Sequence, residues 1–82
     1  PGTDIERMEM PVGGRFTGIP HTPGTREYLT CERGCIEVTV AGEIHRANPG
    51  DVIAFRGDVR HAYHNPGDEP AIGYSVVVLA GT

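Results

Sequence analysis

The sequence has no tryptophan, no lysine, only two cysteines, and no apolar run longer than the five residues from Val76 to Ala80. Each shortage closes off a class of function. Five apolar residues fall far short of the roughly 20 that a membrane-spanning helix needs. Without lysine, all seven basic side chains are arginines set singly along the chain, against 11 acidic residues, for a net charge of −4. There is no basic stripe to neutralise phosphates, so these residues by themselves are not expected to contact nucleic acid. No window carries the 3.6-residue apolar periodicity of an amphipathic helix. Cys31 and Cys35 fail the C-x2-C spacing of common zinc sites. If Arg33-Gly34 is a two-residue hairpin loop, Glu32 faces Cys35 and Cys31 faces Ile36. The two thiols then point to opposite faces, a disulfide is disfavoured, and free thiols in a reducing cytoplasm are expected.

Turn formers and strand formers make up the rest. Twelve glycines and seven prolines punctuate 82 residues, and between them the apolar residues alternate. Met8, Met10 and Val12 alternate with Arg7, Glu9 and Pro11, with Gly13-Gly14 as the stop. Phe16 opens a short extended piece that Pro20 and Pro23 keep out of helix. Glu27, Leu29 and Cys31 share a face of the next strand. Ile36, Val38 and Val40 form the cleanest period-two run, with the β-branched content strands favour. Ala41-Gly42 then turns the chain into a return over Glu43 to Ala47. Val52 to Phe55 is a short apolar strand, and Arg56 to Arg60 a polar loop. His61, Tyr63 and Asn65 fall on one face of the next strand, with Ala62 and His64 on the other. Ile72 to Leu79 closes the chain. About eight short strands with turn signals every 8–12 residues predict an all-β sandwich or barrel in a single domain, 1–82. The start at Pro1 rather than Met reads as a piece of a longer chain. A domain this small gains from a dimer interface or a metal.

Two stretches carry chemistry on this frame. The first is His21-Thr-Pro-Gly-Thr-Arg-Glu27, closed by Gly34. The second is Gly50-Asp51 followed by His61-Ala-Tyr-His-Asn65. Fifteen residues lie between Gly34 and Gly50, enough for one hairpin, so strand pairing can bring His21, Glu27 and His61 into one pocket. The carboxylate of Glu27, on a face with Leu29 and Cys31, is costly to bury unless paired or coordinated. Its partner is a metal, neighbouring Arg26, or an arginine from another strand. His21 reads equally as a ligand or as a solvated rim residue. Asn65, before Pro66, reads as a turn-fixing side chain.

These stretches resemble the two motifs of the cupin family, commonly written G(X)5HXH(X)3,4E(X)6G and G(X)5PXG(X)2H(X)3N. His21, Glu27 and Gly34 fit the first, with Pro23 where its second His belongs. Gly50, His61 and Asn65 fit the second, with Arg56 and Asp58 in place of its Pro and Gly. The wording around them, His-x-Pro-Gly-Thr-x-Glu-Tyr, Gly-Asp-Val-Ile and His-Ala-Tyr-x-Asn-Pro-Gly, is similar to the carboxy-terminal sensor domain of XRE-type regulators.

The resemblance implies a double-stranded β-helix, or jelly-roll barrel, around a cavity. It implies His21, Glu27 and His61 as ligands of a divalent metal such as Zn, Fe or Mn, and a small-molecule effector held near Tyr63, Asn65 and Leu29. It further implies a homodimer, and a separate amino-terminal helix-turn-helix that binds DNA. The expected function is ligand sensing in transcriptional regulation. The alternative is a small metal-dependent enzyme of dioxygenase or isomerase type, its two imidazoles and one carboxylate forming a facial triad.

Overall fold

The computed structural model describes residues 2–80. Pro1, on which the expectation of a longer chain rests, lies outside them. Eight strands follow one another among these residues: β1 (Thr3–Met10), β2 (Arg15–Gly18), β3 (Arg26–Arg33), β4 (Ile36–Val40), β5 (Glu43–Ala47), β6 (Val52–Arg56), β7 (His61–His64) and β8 (Ala71–Val78). They form two four-stranded sheets, ordered β1-β8-β3-β6 and β2-β7-β4-β5. Every pairing between strands is antiparallel. In the pairs β1·β8, β2·β7, β3·β6 and β4·β5 the strand numbers add to nine. That is the topology of one long hairpin wound into a jelly roll, with β4–β5 at its tip. The expected double-stranded β-helix is the fold observed.

Side-chain alternation explains the two layers. On β3, Glu27, Leu29 and Cys31 are buried while Tyr28 and Thr30 are half-buried. On β7, His61 and Tyr63 point in with Asn65 just beyond, and Ala62 and His64 point out. Met8, Met10, Leu29, Cys31, Ile36, Val38, Ala47, Phe55, Tyr63 and Ala71 meet between the sheets as the core. The outer faces differ. That of the first sheet carries Ile5, Val76, Tyr28 and Ala54 as one register row across its four strands. That of the second carries Glu37 between Arg46 and His64, at 3.1 and 3.4 Å.

Ala41-Gly42 is the tight turn between β4 and β5, with φ of 49° and 85°. Positive φ at both central residues is the two-residue hairpin geometry that matches strand twist. Arg33-Gly34, by contrast, is not a hairpin loop, and Glu32 does not face Cys35. β3 is already flanked by β8 on one side and β6 on the other, so β4 has no free edge to return along and crosses to the second sheet. Gly34 makes that crossing at φ 74°, and a Cβ there would lie 3.1 Å from both the Ala71 Cα and the Pro70 carbonyl oxygen. Both cysteines are free thiols, as expected, with Cys31 buried and Cys35 half-buried. Val12 also departs from expectation: β1 ends at Met10, and Val12 is exposed.

Candidate functional site

A cleft of about 670 Å³ opens between the sheets, walled by β1, β3 and β8 on one side and by β2 and β7 on the other. His21, Glu27 and His61 line it together, as motif spacing predicts, and Tyr63 lines it with them. Leu29 and Asn65, expected near an effector, lie elsewhere. Leu29 is wholly enclosed in the core, which its place between Glu27 and Cys31 on β3 requires. Asn65 is equally buried and bonds only to backbone. Its amide donates to the carbonyls of Met10, Pro11 and Glu69 at 3.1, 3.2 and 2.9 Å, and its oxygen accepts from Gly67 N at 2.9 Å. It ties the end of β1 to the β7–β8 loop, the structural role its position before Pro66 suggests.

Glu27 is the centre of the site. β3 carries it inward, and it is 2 % exposed. The Tyr63 hydroxyl donates to its Oε1 at 3.2 Å. Burial above all, then the nearby Glu27 charge, pushes the Tyr63 phenol well above its ordinary range, so it stays a donor. The other oxygen, Oε2, has no hydrogen-bond partner among the described residues, although His61 Nε2 lies 3.1 Å away. The two facts are compatible. His61 Nδ1 sits 3.0 Å from the Val59 carbonyl oxygen, which can only accept, so Nδ1 is the nitrogen that carries hydrogen. With hydrogen on Nδ1 alone, Nε2 faces Oε2 acceptor against acceptor, and a second proton on the ring would make the contact an ion pair. A donor or a cation arriving from the cleft would satisfy both.

His61 has little freedom to turn away. Its ring packs against Phe55 and Tyr63 at centroid distances of 5.3 and 5.6 Å. Behind it stands Gly18 of β2, paired with it in register. A Cβ on Gly18 would fall 2.1 Å from His61 Nε2.

His21 is not on a strand. It belongs to the loop between β2 and β3, where its backbone N–H donates to the Gly57 carbonyl at 2.8 Å. The prolines at 20 and 23 explain the loop, since each removes a ladder donor. The His21 side chain is 36 % exposed, and its Nε2 is 3.8 Å from Glu27 Oε2. Arg26 points outward, and among the described residues no arginine pairs with Glu27. No group of three or more His, Cys, Asp or Glu side chains among these residues is arranged to hold a metal ion.

Three further residues of the cleft escaped the sequence reading. Glu6 and Ser75 line it on neighbouring strands, paired in register. The signals were present. Ser75 interrupts an apolar strand, and Glu6 shares the parity of Met8 and Met10. The third, Gly18, left no trace in sequence beyond the end of a short strand.

The chain matches the Cupin_2 family, described as a cupin domain, over residues 6–77. It is 29 % identical over 70 residues to the HTH-type transcriptional regulator SutR of Escherichia coli (strain K12), a match covering 85 % of this chain and 39 % of that protein. The chain thus spans well under half the length of this curated relative. The Cupin_2 domain of an XRE family transcriptional regulator from Enterobacter cloacae superposes with a TM-score of 0.92 at 25 % identity, over 98 % of this chain and 84 % of that one. An HTH_3 family transcriptional regulator from Vibrio cholerae superposes with a TM-score of 0.88 at 24 % identity, over 98 % and 44 %, a likeness of fold. Sequence match, strand topology and the shared pocket of His21, Glu27 and His61 agree, and the chain belongs to the Cupin_2 family of cupin domains.

Proposed function

We propose that this domain is the small-molecule sensor of a cytoplasmic transcriptional regulator, with DNA contacted by a separate helix-turn-helix. The observation that carries the reading is the unpartnered Glu27 Oε2, buried at the base of an open cleft. A buried carboxylate oxygen without a donor is costly, and an effector that supplies one gains affinity from it. Likeness to regulators supports the DNA-binding context. A sensor also needs two states of different effector affinity. The apolar outer row of Ile5, Val76, Tyr28 and Ala54 supports homodimerisation as the means of passing occupancy on. The test is a small-molecule screen followed by amide chemical shifts. Effector-like hits should move Glu27, His61, Tyr63 and Ser75 together. Hits that move only other surfaces overturn the reading.

A second reading, a divalent metal at the same place, is favoured by the facing acceptors His61 Nε2 and Glu27 Oε2. These two atoms suit zinc, iron or manganese as donors, and His21 would complete the set by closing in from the rim. Pro23 cannot supply a fourth. Bound there, the metal would act as a Lewis acid and serve a small enzyme. Metal analysis of the purified protein tests this: a stoichiometric ion lost in the His61→Ala variant supports it, and none in either protein counts against it.

A further inference from the structure

We infer that the cleft selects an organic cation, a ligand with an ammonium group for Glu27, an apolar body, and its best fit when a second ammonium reaches the rim. The inference rests on the sensor reading above and names the ligand class.

The carboxylates of the cleft outnumber its fixed cations. Asp4, Glu6, Glu9 and Glu27 line it, beside the imidazoles of His21 and His61. Asp4 and Glu6 share the parity of Met8 and Met10, whose side chains point inward on β1. Arg7 also borders the cleft, but its guanidinium is hydrogen-bonded to Glu9, on the other parity of the strand. The other arginine ion pairs among the described residues are Arg46–Glu37 and Arg56–Asp58, neither at the cleft. Rim acids alone are ordinary solvated groups. What points to a ligand is the deep carboxylate, 2 % exposed, with Oε2 unpartnered. An anionic ligand would meet four carboxylates, with Arg7 already held by Glu9. A neutral polyol would donate hydrogen bonds but leave the charge in place. An ammonium does both.

Register gives the spacing. Glu27 pairs with Val77, and Val77 pairs with Asp4, so one row crosses β3, β8 and β1. Two strand spacings separate the two carboxylate positions, about 10 Å along the backbone. Val77 lies between them, and Met8 and Phe16 supply further apolar wall. A six-carbon chain with an ammonium at each end spans such a gap.

The test is titration calorimetry of the purified chain with four probes of equal length: hexane-1,6-diamine, hexylamine, hexan-1-ol and hexanoate. The diamine should bind best, hexylamine next, and the alcohol and acid at least tenfold more weakly than hexylamine. Glu27→Gln keeps the Tyr63 bond and should weaken both amines about tenfold or more. Asp4→Asn, at an exposed position of β1, should weaken the diamine more than hexylamine. Glu43→Gln, exposed on β5 outside the cleft, should change nothing. If hexanoate or hexanol binds as well as hexylamine, the cation inference is overturned while the pocket reading stands. If zinc shifts the His21 and His61 ring signals and the amines shift none, Glu27 serves a metal and the inference falls. If none of the probes binds, it also falls, and the pocket reading falls with it only when the broader screen leaves the cleft amides unmoved.

Discussion

Gly18→Ala puts the packing of the site to a direct test, because two physical effects predict opposite signs. Gly18 sits in strand β2 with no positive φ, so alanine fits its backbone. On backbone entropy alone the substitution stabilises by about 0.4–1 kcal/mol. Packing says otherwise. The new Cβ would lie 2.1 Å from His61 Nε2, 2.5 Å from Cδ2 and 2.8 Å from Cε1. The ring must retreat by about 1 Å or more to restore ordinary contact near 3.4 Å. It is 2 % exposed, with Phe55 and Tyr63 against it and Nδ1 on the Val59 carbonyl. Overpacking of this kind costs about 1–3 kcal/mol, and losing the Val59 bond adds about 1. The net is a loss of about 1–3 kcal/mol. For a chain of this size each 1 kcal/mol lowers Tm by roughly 4–8 °C. Urea unfolding gives the free energy, and the His61 ring signals report the displacement. A double-mutant cycle isolates the cause: in a His61→Ala background, Gly18→Ala should be neutral or stabilising, for a coupling of about 2 kcal/mol or more. A Gly18→Ala protein as stable as the parent, with unshifted His61 signals, would refute the close approach and with it the claim that β2 fixes the imidazole against Glu27.

The remaining predictions concern the same framework. Tyr63→Phe removes the only hydrogen bond Glu27 receives among the described residues and should cost about 1–3 kcal/mol near neutral pH. Because the folded phenol titrates above the ordinary 10.0, the unfolded chain releases its proton first as pH rises. Parent stability therefore falls above about pH 10, and its advantage over Tyr63→Phe shrinks by about 1.4 kcal/mol per pH unit; an advantage that stays constant to pH 11.5 contradicts the shift. Asn65→Ala leaves the Met10, Pro11 and Glu69 carbonyls without their donor and should lower the urea-derived stability by about 2–4 kcal/mol; a loss under 0.5 kcal/mol would contradict the tie it makes. Ala41→Asn should raise stability by about 0.5–1 kcal/mol, since Ala41 holds φ 49° in a turn that favours Asn-Gly; a fall in Tm would mean that the turn is not of this type.

Local periodicity carried most of the fold. Strands β3, β4 and β7 could be placed because their inward residues recur every second position, and β5 because Ala41-Gly42 turns the chain back. Motif spacing pointed to His21, Glu27 and His61, and strand alternation to Tyr63; in the structure His61 Nε2 and the Tyr63 hydroxyl lie 3.1 and 3.2 Å from the two oxygens of Glu27, with His21 at 3.8 Å. Where the reading failed, pairing was the reason. Arg33-Gly34 has hairpin composition, yet both edges of β3 are taken by β6 and β8. Glu6 and Ser75 stand 69 positions apart and become neighbours only because β1 lies against β8. Leu29 lies on the right face of β3 but deeper than the cleft reaches.

By itself the amino-acid order determined an all-β chain, the inward side of its clearly alternating strands, and that Glu27 and His61 lie on such sides. Those properties follow from a two-residue repeat and from turn chemistry, both local. Only the folded shape decided that Gly18 backs His61, that Glu27 keeps one oxygen without a donor, and that acids of β1 join it across Val77. These depend on which strands become neighbours, and strand order is set by competition among all edges at once, which no single segment encodes.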